Sequence, residues 1–202
     1  MTTVFATVAL VFGVVRLALF VALHVVKSEY NIVEHAVSDY AVGPTRTLSS
    51  TMTWVTAGLW GALALAVITG FPDWDDRTKV AIFLVVLASI FVVLPFLPTD
   101  LEGQKSTAVG RLHYVAAIAW FALSYACMSN FVNLLRPITD EPLGSILVVV
   151  SWIALVSLVA LVAALVVRPL RRYAFGISER IFILSVNVFY ITVAVGLLIR
   201  QS

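Results

Sequence analysis

Histidine and carboxylate side chains occur in two short polar segments of this otherwise apolar chain. His35 and Asp39 are four residues apart, and Asp100 precedes His113 after a second apolar stretch. Residues four apart on a helix project from one face, so His35 and Asp39 could share a proton or a metal ion. The alternative is that Asp39 bonds the local backbone and His35 is solvated at the interface.

The two polar segments could form one site. Asp100 is expected at the end of one membrane-spanning segment and His113 at the start of the next, so both lie at the same depth. Together with His35 and Asp39 they would provide four ligands for a divalent metal ion, or a base with its orienting group. Ser38 could be a nucleophile if a base reaches it. The alternative is that Asp100 only caps its loop and His113 lies at the interface.

Arg16 is the most costly residue of the sequence, because it lies near the middle of an apolar segment. A cation at that depth costs at least about 2.5 kcal/mol unless it faces protein, water or an anion. None of the eleven acidic residues lies in an apolar segment. We therefore expect Arg16 to face the bundle, where it bonds an anionic ligand, backbone carbonyls or one of the polar residues in the spans. These polar residues are Asn187, Ser185, Tyr190, Tyr125 and Ser124. His24 shares the helical stripe of Arg16 and would be an outer or alternate member of the site.

A cluster of four arginines precedes the last apolar segment, at positions 168, 171, 172 and 180. Juxtamembrane cations usually set topology and contact anionic lipids, although Arg180 could also bind an anionic ligand. The sequence 176–180 resembles a helix start, with Ser178 as N-cap and Glu179 in the first turn.

Six apolar segments must position these residues. The chain has 202 residues, of which 61% are hydrophobic, and a mean hydropathy of +1.04. Segments of about 20 apolar residues cross a bilayer only as helices, since lipid offers no partner to the backbone. We predict an all-α, polytopic membrane bundle that forms one domain, residues 1–202. The predicted spans are 4–26, 51–69, 80–97, 113–135, 146–167 and 181–199.

The longest polar loops indicate further elements. Apolar residues recur at helical spacing between Ile32 and Tyr40, which predicts a short amphipathic helix at the membrane interface, ended by Gly43-Pro44. All three histidines lie at the same face of the bundle as this loop, so a site at the membrane boundary is expected there.

The distribution of charge predicts the orientation. Eight of the thirteen Lys and Arg residues lie in the odd-numbered loops and four on the opposite face. This bias predicts cytoplasmic odd loops and external termini, in the cell membrane. The net charge of +2 gives no indication of nucleic acid binding. The expected partners are membrane lipids and other membrane protein subunits.

The chain resembles a known prokaryotic membrane family. The resemblance rests on Ser38-Asp39 with Gly43-Pro44, on Leu97-Pro98-Thr99-Asp100 followed by His113, and on Gly176-Ile177-Ser178-Glu179-Arg180. These stretches are similar to the six-helix family catalogued as domain of unknown function nine hundred and ninety-eight, over essentially the whole chain. The resemblance implies a compact helical membrane domain without an agreed activity. It points to Ser38, Asp39, Asp100, His113, Glu179 and Arg180.

Two functions fit these observations. The first is an enzyme acting on a lipid or other amphiphile, such as a metal-assisted hydrolase, in which Asp39, Asp100, His35 and His113 hold the metal or activate water. The second is a non-catalytic lipid-binding protein or an accessory subunit of a larger membrane complex. A transporter is less well supported, since no acidic residue lies within a predicted span.

Overall fold

A computed structural model describes residues 1–27, 30–100 and 105–200. The described part is all-helical and contains six helices that are long and apolar enough to cross a membrane. The predicted all-α membrane bundle is therefore confirmed. The helices are α1 Thr2–Val25, α2 Arg46–Gly70, α3 Arg77–Val93, α4 Ala108–Leu135, α5 Glu141–Val166 and α6 Arg168–Ile199.

All six helices begin earlier than the apolar segments predict. Helix α2 starts at Arg46, α4 at Ala108 and α5 at Glu141, each five residues early, and α6 starts at Arg168, thirteen residues early. Apolar composition marks the part of a helix inside the bilayer, whereas the helix itself continues wherever its backbone hydrogen bonds are satisfied. At α4 the start is set by Thr107, whose hydroxyl accepts a hydrogen bond from the Gly110 amide.

The predicted helix start at Ser178 is wrong. Helix α6 runs without interruption from Arg168, and only Val167 separates it from the end of α5. Pro169 lies in the first turn of α6, where its missing N–H would have had no partner in the helix. Its 32 residues correspond to about 48 Å. Because this exceeds the thickness of a hydrocarbon core, the arginine-rich first turns reach beyond it.

The polar loop between α1 and α2 contains the predicted short helix, but as 3-10 turns. These are Val37–Ala41 and Gly43–Thr45. The Asp39 carboxylate accepts a hydrogen bond from the Ala36 amide at 3.1 Å, which closes a tight turn in place of an α-helical one. Gly43 follows with a φ of +74°, which side-chain-bearing residues rarely adopt. We refer to residues 31–42 as the strap.

Helix α6 lies at the centre of the bundle and packs against α1, α4 and α5, while α2 packs between α1 and α3. The core beside it is aromatic: Tyr190 makes edge contacts with Trp60 and Phe131, at centroid distances of 4.6 and 5.9 Å. The hydroxyl of Tyr190 donates to the Ser124 carbonyl oxygen at 2.6 Å, so its polar atom is satisfied inside the bundle.

The outer surface of the bundle is apolar, as a lipid solvent requires. On α5, Trp152 and Val156 are 62% and 65% exposed. Thr2 contacts Thr69, and the Arg200 guanidinium stacks on Phe71, so both termini lie at the same end. The chain is thus a multi-pass membrane protein, and the face of the membrane to which the termini point stays a prediction.

Close approach of α1 and α2 depends on Gly58. A Cβ atom at Gly58 would lie 2.7 to 2.9 Å from the ring of Phe12, whereas one at Gly61 would meet nothing within 4 Å. We expect Gly58→Ala to lower the free energy of unfolding by about 1–3 kcal/mol, since the ring must move.

Gly61→Ala is the matched control, and we expect it to leave stability unchanged or to raise it by about 0.5 kcal/mol. Denaturant unfolding in detergent micelles measures both. Equal effects of the two substitutions would contradict the close packing of α1 on α2.

Candidate ligand-binding cavity

A cavity of about 80 Å³ lies inside the bundle, beneath the strap. A buried water needs about 10–15 Å³ on this scale, so there is room for several waters or a small chemical group. Its walls come from α1, α2, α3, α4, α6 and the strap. The polar lining residues are Arg16, Ser38, Ser49, Ser50, Thr53, Thr56, His113 and Glu179.

Arg16 is buried at the cavity, with 3% of its surface exposed. Its Nε–H donates to the Thr56 hydroxyl at 2.9 Å, and a second nitrogen donates to the Asn187 side-chain oxygen. Asn187 in turn donates to the Gly13 carbonyl oxygen at 3.3 Å. Within the part of the chain that the structure describes, no carboxylate forms an ion pair with Arg16. The guanidinium is therefore held by neutral groups alone.

Helix α2 provides a row of hydroxyls that leads to Arg16. Ser49, Thr53 and Thr56 recur at helical spacing and line the cavity. The Thr56 hydroxyl donates to the Met52 carbonyl oxygen at 2.7 Å, which leaves its lone pairs for the guanidinium. A polar wall thus runs from Ser49 near the strap down to Arg16.

The cavity also has an apolar lining. Much of it comes from the end of α3, from the 3-10 turn Leu94–Phe96 that follows it, and from α4. Pro95 lies in this tight turn, where it cannot supply an amide that would continue α3. The apolar lining residues of these elements are Phe91, Leu94, Pro95, Ala117 and Trp120. The cavity is therefore amphipathic, with both polar and apolar groups in its lining.

His113 lines the cavity from α4, and its ring is fixed by one hydrogen bond. Its Nδ1 lies 2.7 Å from the Leu97 carbonyl oxygen, so Nδ1 carries the hydrogen and Nε2 is left as an acceptor. Ser38 lines the same cavity from the strap. The structure therefore places these two predicted site residues on one cavity, together with Arg16 and Glu179.

Glu179 joins α6 to the strap. The side chain is 6% exposed, and its Oε2 accepts a hydrogen bond from the Val37 amide at 2.6 Å. Among the described residues, none forms an ion pair with this carboxylate. Glu179 also lines the cavity, so a buried carboxyl group faces it in addition to the Arg16 guanidinium.

Two further hydrogen bonds from α6 hold the strap. The Gly176 amide donates to the Val33 carbonyl oxygen at 2.9 Å, and Arg180 donates to the His35 carbonyl oxygen at 2.8 Å. These contacts were missed by the sequence reasoning. Their signal is the spacing of Gly176, Glu179 and Arg180, which places all three on one face of a continuous helix.

His24 and Arg180 lie beside the strap and do not line the cavity. The Arg180 Nε–H donates to His24 Nε2 at 2.9 Å, while His24 Nδ1 lies 2.7 Å from the Phe20 carbonyl oxygen. A histidine that accepts at one nitrogen and donates at the other is neutral. Arg180 also lies over the Tyr40 ring at 5.8 Å, so a cation–π contact joins it to the strap.

The predicted four-ligand metal site is not formed. Over residues 1–27, 30–100 and 105–200, no group of three or more His, Cys, Asp and Glu side chains is placed to hold a metal ion. Asp39 binds the Ala36 amide, and His35 accepts from the Asn31 amide at 3.2 Å. Asp39 and His35 therefore accept hydrogen bonds from backbone amides close to them in sequence, and they do not converge on a metal ion.

Asp100 does not pair with His113. Its two carboxylate oxygens accept from the Thr107 amide at 2.7 Å and from the Thr107 hydroxyl at 2.8 Å. These hydrogen bonds hold the pKa of Asp100 below its usual range. Asp100 therefore fixes Thr107, the N-cap of α4. The His113 ring is oriented by the Leu97 carbonyl instead.

Six membrane-length helices define a polytopic helical membrane protein, and five of them line the cavity together with the strap. A family model described as "Protein of unknown function (DUF998)" matches residues 7–196, and the chain belongs to this family. The resemblance seen in the sequence is confirmed. No curated protein and no solved structure matches the chain. The cavity is therefore the feature of this protein that indicates a function.

Gly176 is required for the contact between α6 and the strap. A Cβ atom there would lie 2.5 Å from the Ile32 carbonyl oxygen and 2.7 Å from that of His35. Because both are backbone atoms, the strap must move as a whole. We expect Gly176→Ala to speed amide hydrogen exchange across residues 31–42 at least about 10-fold, corresponding to about 1.4 kcal/mol of lost local stability.

The matched control is Gly61→Ala, which introduces the same methyl group into open space. Hydrogen-exchange mass spectrometry of both variants in detergent measures the effect. Unchanged exchange in the strap of Gly176→Ala would show that α6 does not hold it.

Proposed function

We propose that this protein binds an amphiphile with an anionic group, and that Arg16 receives the anion inside the cavity. The observation that carries the proposal is the environment of Arg16. Its guanidinium is buried, bonded only to neutral partners, and lines the cavity. A buried cation without a counterion is costly, and an anionic ligand would offset that cost.

The donors around the cavity suit an anion. Arginine has five N–H donors, of which one is used by Thr56 and one by Asn187. The remaining N–H groups can bind phosphate or carboxylate oxygens, for which the planar guanidinium is well matched. Hydroxyls at Ser49 and Ser50 line the same cavity and can donate to further oxygens of such a group.

The apolar lining favours an amphiphile over a free inorganic ion. Phe91, Leu94 and Trp120 offer hydrophobic and aromatic surface in the same cavity as the hydroxyls of α2. A ligand with one charged end and one hydrocarbon end would satisfy both kinds of lining at once. Since the bundle is surrounded by lipid, membrane amphiphiles are the ligands present at the highest local concentration.

A hydrolase acting on the bound amphiphile is the second candidate. The favouring observation is that Ser38 and His113 line the same cavity, with His113 Nε2 left as an acceptor. This arrangement would suit a nucleophile and a general base. The metal-assisted form has no support in the donor set, because the described residues offer no group of ligands for a metal ion.

Lipid binding to purified protein tests the proposal. We expect wild-type protein to bind phosphatidic acid more tightly than diacylglycerol with the same acyl chains. Arg16→Gln should weaken phosphatidic acid binding about 10- to 100-fold, since a hydrogen bond to a charged group contributes about 1.5–3 kcal/mol. Native mass spectrometry in detergent measures both the affinity and the mass of the bound lipid.

Arg46→Gln is the matched control, because Arg46 is an exposed arginine at the start of α2 and does not line the cavity. Arg16→Lys keeps the charge and identifies losses that come from misfolding. Equal affinity of wild type and Arg16→Gln for phosphatidic acid would refute the proposal. Bound lipid recovered intact supports binding alone, whereas a cleaved lipid mass supports the hydrolase.

A further inference from the structure

We infer that the ligand carries a zwitterionic head group, with its anion on Arg16 and a primary ammonium on Glu179. This inference rests on the function proposed above and specifies the class of ligand. It follows from a buried guanidinium and a buried carboxyl group that line one cavity without forming an ion pair with each other.

Arg16 and Glu179 are 3% and 6% exposed, and both line the cavity. Among the described residues, neither takes part in an ion pair. Arg180 follows Glu179 in sequence and attracts its carboxylate, but the hydrogen bonds of the Arg180 side chain go to His24, to His35 and to the Gly176 carbonyl. Neither buried group is therefore in direct contact with a partner of opposite charge.

Asn187, which bonds Arg16, and Glu179 are eight residues apart on α6. At 1.5 Å per residue their backbone positions are about 12 Å apart along the helix, and the two side chains that extend from different levels can approach the opposite ends of one small head group. Arg16 marks the deep level, and Glu179 marks the level of the strap. A ligand that compensates both must itself carry two separated, opposite charges.

Three hydrogen-bond acceptors that line the cavity suit a primary ammonium. A primary ammonium has three N–H donors and needs three acceptors. The Glu179 carboxylate, the Ser38 hydroxyl and His113 Nε2 all line the cavity and can each accept a hydrogen bond. A quaternary ammonium has no N–H to donate, so it would leave these acceptors unsatisfied. The site should therefore prefer a primary ammonium.

The same head-group chemistry occurs in a phospholipid and in a soluble compound. Phosphatidylethanolamine presents a phosphate and a primary ammonium on a lipid, and free phosphoethanolamine presents the same pair in water. The apolar lining of Phe91, Leu94 and Trp120 favours the lipid. Comparing the two compounds in one assay distinguishes the sources.

The experiment compares phosphatidylethanolamine, phosphatidic acid and phosphatidylcholine with identical acyl chains, by native mass spectrometry of the full chain. We expect wild type to bind phosphatidylethanolamine about 10-fold more tightly than either other lipid, since one hydrogen-bonded charge pair separates them. Glu179→Gln should abolish this preference and leave phosphatidic acid binding at least as tight as in wild type. Arg16→Gln should weaken all three.

Glu179→Gln keeps a side-chain oxygen that can accept from the Val37 amide, so the strap contact is retained. Gly176→Ala is the control for a displaced strap, because it moves the strap and keeps the carboxylate. A displaced strap should lower binding of all lipids together and leave their ratio unchanged. Loss of the preference for phosphatidylethanolamine in Glu179→Gln, but not in Gly176→Ala, supports the inference.

An unchanged preference for phosphatidylethanolamine in Glu179→Gln would overturn the inference. If Arg16→Gln still weakens binding in that case, the proposed function stands without it. Free phosphoethanolamine that competes at the same concentration as the lipid would support the two-charge site but overturn the assignment to an amphiphile.

Discussion

The arrangement of this bundle depends on how it accommodates one cation in its interior. Arg16 of α1 is bonded to Thr56 of α2 and to Asn187 of α6, so three helices meet at its guanidinium. Removing a charge from water costs several kcal/mol, and neutral hydrogen bonds return only part of this. A bundle selected for stability alone would place an apolar residue here. The retained charge is the reason why we propose an anionic ligand at this position.

The strap covers part of the cavity that Arg16 lines. Glu179 binds the strap with its carboxylate and Gly176 with its amide, and Arg180 adds a third bond while contacting His24. Reduced access to water strengthens the electrostatic interactions inside the cavity. The first part of α6 therefore does more than extend a membrane span, because it holds the strap over the cavity.

The six helices and the burial of Arg16 could be predicted from the sequence, because both follow from transfer energies that depend on composition alone. Helix ends were less predictable. The turns that carry Arg46 and Arg168 are polar, and polarity does not distinguish a helix in water from a loop. The predicted contact between Asp100 and His113 is not formed for a different reason, since the amide and the hydroxyl of Thr107 both donate to the Asp100 carboxylate. The Glu179–Val37 contact joins residues 142 positions apart, and nothing local encodes it.

The most direct measurement is a density map of the protein reconstituted in native-composition lipid nanodiscs. The account predicts head-group density within hydrogen-bond distance of the Arg16 guanidinium, with hydrocarbon along the wall formed by Phe91 and Trp120. A cavity that holds only water, with the guanidinium bonded solely to Thr56 and Asn187, would contradict it.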